Sequence, residues 1–195
     1  LLSSLPFPLA APSANPFGYI SPTTARHVEQ QLGSQIPYIL DGGPCEVGLE
    51  STIVGFENDE PVIYRKGGMA IEAIERLVGK VRVQAHSSSN PLAPGMLKSH
   101  YAPRTPLQLV ERLQLPVTNH QSPVNRVGIL SFQTNYGAEY QEILSPTGDV
   151  SEAARHLFAA MRRLDQLGLD VIYAELVPDE GLGKAINDRL KRAAV

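Results

Sequence analysis

The chain has 195 residues, enough for one large domain or two small ones. With 43% hydrophobic residues, 19% charged residues and a net charge of −3 it has an ordinary globular composition and no whole-molecule basic field for nucleic acid or an anionic membrane, so any anion must be held by a local site. One cysteine, Cys45, excludes an internal disulfide framework and a thiolate metal cluster, and no apolar run approaches the ~20 residues of a membrane span.

The opening "LLSSLPFPLAAPSA" has the small-residue ending of a signal peptide, but it lacks a basic start and prolines interrupt its apolar run, which rejects that reading. The chain starts on apolar residues without an initiator methionine, and a further upstream part is expected. Next, "SPTTARHVEQQLG" predicts a helix with Ser21 as N-cap, Pro22 at the first helical position and Gly33 as the stop. "IPYILDGG" (36–43), "STIVGF" (51–56) and "PVIYRKGG" (61–68) read as strands ending in turns, with Asp41 making the turn before Gly42. "AIEAIERLVG" (70–79) places Ile71, Ile74, Leu77 and Val78 at helical spacing.

The segment 85–106 is dense in Pro and Ser with no hydrophobic period, and reads as a linker. Loops of that length are uncommon inside a compact domain and are often functional. Beyond it, "PLQLVE", "RVGILSF" and "DVIYAELV" read as strands. "GDVSEAARHLFAAMRRLDQLG" reads as a helix with an Asp149/Glu152 capping box and an apolar face of Leu157, Met161 and Leu164. "GLGKAINDRLKRAA" closes the chain as an amphipathic helix with Ile186, Leu190 and Ala193 on one face. Strands alternating with helices predict an α/β fold with a mainly parallel sheet.

Four places carry groups suited to chemistry. Ser13, Asn15 and Ser21 surround a Pro-Gly turn ahead of a helix start, where hydroxyls, an amide and free backbone N–H groups can hold an anion. A plain turn and helix cap account for the same residues. Glu50, Ser51 and Thr52 stand at the mouth of a β-branched run, as a ligand contact or as a solvated strand start. Arg65 ends an apolar strand with a planar fork that suits phosphate or carboxylate, or lies on the surface. Lys98, His100 and Tyr101 join a cation, an imidazole and a ring on the linker, the composition of a lid over a nucleotide or of a solvated loop. His27, His86, His120 and His156 have no partner at ligand spacing, so no metal role is assigned, and Cys45 has no local activating partner and is read as structural. No Walker A loop, G-x-G-x-x-G, H-E-x-x-H or G-x-S-x-G occurs.

Taken in order, "APSANPFGYISPT", "DGGPCEVGLESTIV", "VIYRKGG", "PGMLKSHYAP" and "GLGKAINDRLKRAA" closely resemble the long form of the threonylcarbamoyl-AMP synthase family, from about Leu9 to the end. The resemblance implies the C-terminal part of a YrdC-type nucleotide- and threonine-binding α/β domain over 1–84, a linker and active-site lid over 85–106, and a small Rossmann-like parallel-sheet domain over 107–195. It implies a cytoplasmic nucleotidyltransferase that makes threonylcarbamoyl-AMP and pyrophosphate from L-threonine, bicarbonate and ATP, with Mg²⁺ accompanying the ATP. A downstream complex would then transfer the threonylcarbamoyl group to tRNA, with direct tRNA contact as an additional expectation. By motif position, Ser13, Ser21, Arg65 and His100 match ATP-binding residues, with Asn15 and Tyr101 beside them, while Ala11 (backbone) and Ser51 match the threonine pocket.

The chain departs from the family pattern at its start. The N-terminal half of the YrdC-type domain, with a Lys-x-Arg motif, does not precede Leu1, and Arg65 and Lys66 are few cations for a triphosphate. The isolated chain is therefore expected to be impaired. Three other readings stand beside this one: a carbamoyltransferase-type YrdC module using carbamoyl phosphate, a non-catalytic RNA-binding YrdC-like module, and a fragment whose C-terminal domain only docks to partners.

Overall fold

A computed structural model describes residues 2–84, 99–113 and 126–194. The first lobe begins with helix α1 (Ala25–Leu32), capped by Thr24, whose hydroxyl accepts from the His27 N–H. The expected cap, Ser21, lies three residues earlier and its hydroxyl is already committed to Glu50, so Thr24 supplies the acceptor and Pro22 precedes the helix. Strands β1 (Ile53–Glu57) and β2 (Glu60–Arg65) form an antiparallel hairpin. Asn58 and Asp59 close it with φ of 53° and 65°, the left-handed pair that a two-residue hairpin turn requires. Helix α2 (Ile71–Val78) then returns the chain to β3 (Arg82–Val83), which pairs parallel to β2. On α2 the predicted apolar face is only half used. Ile71 and Ile74 are buried, whereas Leu77 and Val78 are exposed.

The run 36–43 was expected to be a strand, and it pairs with no strand among the described residues. Its residues favour strand by type, but Tyr38 and Leu40 face solvent without a ladder neighbour. The turn at its end forms as expected, with the Asp41 carboxylate accepting from the Gly43 N–H at 2.9 Å.

The second lobe is a four-stranded, wholly parallel sheet in the order β4-β7-β5-β6, built from β4 (Leu107–Val110), β5 (Val127–Ser131), β6 (Tyr140–Ile143) and β7 (Val171–Glu175). This confirms the α/β class; β3 and β6 are strands that the sequence reading did not include. At the carboxyl end of the inner strand β7, buried Glu175 accepts from the N–H groups of Leu113 (3.3 Å) and Phe132 (3.2 Å) and from the Tyr136 hydroxyl.

Helix α3 (Val150–Asp165) packs Leu157, Met161 and Leu164 on this sheet, as its spacing predicts. Asp149 caps it by accepting from the N–H groups of Ser151 and Glu152. The reciprocal arm of the capping box runs through a third residue, since Ser145 donates to Glu152 and accepts from the Asp149 N–H at 2.8 Å. Helix α4 (Gly183–Ala193) buries Ile186, Leu190 and Ala193, and it buries Asp188, Arg189 and Arg192 as well.

Helix α3 is also the wall against which the first lobe is built. Ile20 and Tyr101 join its apolar cluster. Arg162, 2% exposed, donates to the carbonyls of Ile20 and Ser21, and Arg155 donates to the Glu46 carbonyl at 2.8 Å. Tyr19 donates to Asp165 at 2.6 Å. Gly48 lies flat on the helix with φ +77°, where a Cβ would stand 2.4 Å from Arg155 Cα. Gly48→Ala is expected to lower unfolding stability by about 2 kcal/mol or more, from backbone strain and overlap together. Gly43→Ala, which has φ +89° but open space around its Cβ, should lose only about 1 kcal/mol. Urea titrations of the two variants check the difference.

Candidate functional site

The loop from Ser13 to Tyr19 is folded back by Asn15, whose amide nitrogen donates to the carbonyls of Pro16 and Tyr19, both at 3.0 Å. The Asn15 Oδ1 is buried and has no hydrogen-bond partner. Gly18, at φ +78°, turns its carbonyl to the Ala102 N–H at 2.9 Å, and Tyr19 forms a parallel bridge with Ala102. The end of the predicted linker is thereby docked on the opening loop; residues 85–98, including Lys98 and His86, lie outside the described residues, as does His120.

This docking sets four rings in a row. Phe17 meets His100 edge-on at 5.9 Å, and His100 meets Tyr101 at 4.2 Å. Tyr101, 2% exposed, lies on Phe158 at 5.6 Å. Tyr101 has φ 64°, a left-handed conformation that costs a non-glycine residue about 1–3 kcal/mol and persists only where its surroundings fix it. The backbone N–H of His100 donates to the Arg192 carbonyl, and its ring Nδ1 is buried without a partner. Burial, reinforced by the charges of Arg192, Arg189 and Arg65 and opposed by Glu50, lowers the His100 pKa below its usual value, so the ring is neutral at pH 7.

On the facing side, Arg65 at the end of β2 donates through Nε to the Ser51 carbonyl (3.0 Å) and through Nη2 to the Ser51 hydroxyl (3.1 Å). The glycines after Arg65 allow this approach. A Cβ on Gly67 would stand 2.3 Å from the Ser51 carbonyl carbon, and the Gly68 N–H donates to the Glu50 carbonyl at 2.8 Å. Thr52 ties the same turn by donating to the Met69 carbonyl at 2.7 Å.

Glu50 is the junction. Its Oε1 accepts from the Ser21 hydroxyl at 2.6 Å, and its Oε2 accepts from Arg189 Nη2 at 2.9 Å and Nε at 3.2 Å. Burial pushes the Glu50 carboxyl up, but the Arg189 charge and the Ser21 hydroxyl outweigh it and hold the pKa below the carboxylate range.

Of the residues singled out in the sequence, Ser21, Ser51, Arg65, His100, Tyr101 and the Asn15 loop converge here. Ser21 is only 6% exposed, with its hydroxyl turned to Glu50. Ala11 and Ser13 are exposed on the chain leading in, connected through the Ser13 carbonyl, which accepts from the Asn15 N–H. Cys45 is exposed. No cluster of three or more His, Cys, Asp or Glu suited to a metal occurs among the described residues. An open groove of about 500 Å³ between α1 and residues 36–41 contains none of these groups.

Arg189 is the functional candidate that sequence reasoning missed. The apolar spacing of α4 pointed to one buried face; the signal available was the charged set Asp188, Arg189 and Arg192, which a solvated face would not need to pair internally.

Two lobes of α/β structure thus meet at a seam that gathers a Ser–Arg pair, a neutral imidazole and the Ser21 hydroxyl. A family model described as "Threonylcarbamoyl-AMP synthase, C-terminal domain" matches residues 69–195, and one described as "Telomere recombination" matches residues 1–67. The chain belongs to the threonylcarbamoyl-AMP synthase family. It is 39% identical over 197 residues to the threonylcarbamoyl-AMP synthase of Bacillus subtilis, covering 96% of this chain and 57% of the relative. The Pyrococcus abyssi protein of the same name is 37% identical, with 96% and 58% covered. The crystal structure of P. abyssi Sua5 complexed with L-threonine superposes with a TM-score of 0.84 at 36% identity, covering 94% of this chain and 56% of that one. The chain therefore spans little more than half the length of the curated relatives it matches.

Acid sensitivity follows from two groups beside the site. His27 Nδ1 accepts from the Thr23 N–H, and burial followed by the charges of Arg162, Arg163 and Arg26 lowers its pKa from 6.5 to about 4. The unfolded chain then binds a proton that the folded chain refuses, so stability falls as pH drops from 6.5 toward 4. Glu50 adds a further loss below about pH 4.5, where its proton competes with Arg189. In His27→Gln the urea midpoint should fall less steeply than in the wild type between pH 6.5 and 5, with the lowered pKa of His100 leaving a residual slope, and still fall below 4.5. A wild-type slope retained in the variant assigns the upper step elsewhere.

Proposed function

We propose that this chain supplies nucleotide- and threonine-handling groups of an L-threonylcarbamoyladenylate synthase. The observation that carries the reading is the Ser51–Arg65 pair facing His100 and Tyr101, in a chain of this family. Residues 1–84, 85–106 and 107–195 are taken as the nucleotide- and threonine-binding part, the lid and the C-terminal domain. The reaction condenses bicarbonate with the threonine amine to a carbamate, releasing water. A carbamate oxygen then attacks the α-phosphorus of ATP, and pyrophosphate leaves.

There is little covalent chemistry for protein side chains in such a transfer, so their contribution is position and charge. Arg65 holds the Ser51 hydroxyl in place as acceptor, which leaves its O–H free to donate to the threonine carboxylate, with the Ala11 backbone completing the pocket. Ser13, Ser21 and Arg65 face the phosphates. His100, neutral and with Nδ1 unpartnered, offers ring nitrogens to the nucleotide, and Tyr101 fixes its edge. The unpartnered Asn15 Oδ1 is an acceptor for a ligand N–H or O–H. Mg²⁺ brought with ATP would neutralise phosphate charge, but the chain gives it no cage among the described residues. Both Glu50 oxygens are already taken, and no step is assigned through the metal. A cytoplasmic protein passing its product to a tRNA-modifying transfer complex, with tRNA contact at or near the site, completes the proposal. No described helix is long and apolar enough to cross a membrane.

The test is pyrophosphate release from ATP by the full-length gene product. Release should require both L-threonine and bicarbonate. Ser51→Ala should cut it about tenfold through loss of one charge-assisted hydrogen bond. His100→Ala should raise the KM for ATP more than that for threonine. Release driven by carbamoyl phosphate without threonine would assign the carbamoyltransferase reading, and salt-dependent RNA binding without ATP binding would assign an RNA module.

A further inference from the structure

Arg189 projects from α4, in the second lobe, yet its fully buried side chain is spent on the first. Nε and Nη2 straddle Glu50 Oε2, Nη1 donates to the Lys66 carbonyl, and the guanidinium lies over the Tyr101 ring at 5.3 Å. Its own neighbour Asp188, 3.4 Å from Nη1, is engaged more closely by Arg192 at 2.9 and 3.1 Å. The three contacts of Arg189 outside α4 each stand one step from a group assigned to substrate. Glu50 precedes Ser51 and accepts from Ser21, Lys66 follows Arg65, and Tyr101 follows His100.

An ion pair needed only for burial requires one carboxylate. Here a planar fork spans three separate segments, a task that its fixed donor geometry suits and that a lysine point charge does not reproduce. The charge matters too. Glu50 stands among the groups that would receive phosphates, in surroundings dry enough for an uncompensated carboxylate to repel them strongly. The single O–H of Ser21 is engaged by Glu50, so a phosphate gains it only by exchange. After that exchange Arg189 remains to hold the carboxylate back.

We propose that Arg189 is a positioning residue of the nucleotide site, acting through Glu50 to cancel a carboxylate that would oppose phosphate and through Lys66 and Tyr101 to set the two walls of the cleft. The inference rests on the synthase reading above.

In the full-length protein, ATP affinity measured by calorimetry and the KM values for ATP and threonine are compared across three variants. Arg189→Met should weaken ATP binding by roughly tenfold or more while changing the threonine KM by less than about threefold. Arg189→Lys, which keeps the charge, should hold ATP affinity within about threefold of wild type and lose turnover instead, because the fork is gone. Arg189→Met combined with Glu50→Gln should recover most of the lost ATP affinity, since no carboxylate is left unpaired. A merely structural arginine predicts the opposite pattern: both substrates weakened together in step with Tm, and no rescue when its partner is also removed. Unchanged ATP affinity in Arg189→Met, or a folded double variant no better than the single, overturns the proposal. If Arg189→Met does not fold, the lysine and double variants decide by the same criteria. Wild-type protein that neither binds ATP nor releases pyrophosphate overturns the synthase reading and this inference with it. Active wild type with indifferent Arg189 variants overturns this inference alone.

Discussion

A guanidinium removed from water costs several kcal/mol unless nearly all its donors are met, and among the three arginines buried in the described residues two reach from one lobe to the other. Arg162 reaches across from α3 to the carbonyls of Ile20 and Ser21, and Arg189 reaches from α4 to Glu50 and Lys66. Neither can be satisfied inside its own lobe. The first lobe must therefore present its backbone and one carboxylate at fixed positions, which draws Ser21, Ser51 and Arg65 toward one cleft. Because one partner of each contact lies in the second lobe, the geometry of the cleft depends on the presence of that lobe even though few of its own residues line the site.

The same seam reconciles the modest overall charge with the anion-binding role proposed for this site. A net charge of −3 gives no long-range attraction, yet Arg65, Lys66, Arg189 and Arg192 stand on contiguous elements around the cleft. Internal carboxylates take up part of this charge: Asp188 holds Arg192 and Glu50 holds Arg189. In the proposed site, a small number of oriented donors rather than a field would meet the ligand, which favours a precise fit over general attraction to polyanions.

Much of this was legible where local and tertiary demands agree. The α3 helix has a cap, a period and a stop that all point one way, and it forms as its spacing dictates. The strands of the second lobe are short apolar runs bounded by turns, and they pair in parallel as their alternation with helices requires. Reading failed where a residue had two possible partners. Ser21 has the chemistry of a helix cap, but a carboxylate 29 positions away claims its hydroxyl, and no local window holds that information. Tyr38 and Leu40 have strand propensity, but a strand exists only with a neighbour to receive its hydrogen bonds. In the site, motif order brought Ser51, Arg65 and His100 into view, while Arg189 was hidden by an amphipathic pattern that suffices to explain the helix without it. The Asn58–Asp59 hairpin carried a readable turn signal that the strand assignments passed over.

Glu175 gives the second lobe a different character from that suggested by its topology. Open parallel sheets receive ligands at the carboxyl ends of their strands, where backbone N–H groups from adjacent turns converge. In this sheet the N–H groups of Leu113 and Phe132, with the Tyr136 hydroxyl, converge on a carboxylate that the chain itself provides. The usual mouth of the fold is thus stoppered by an internal counterfeit of a ligand, and an arriving anion would find its donors spent and a like charge in place. That edge is filled from within, while the contacts of the lobe with its neighbour run through side chains of α3 and α4 instead.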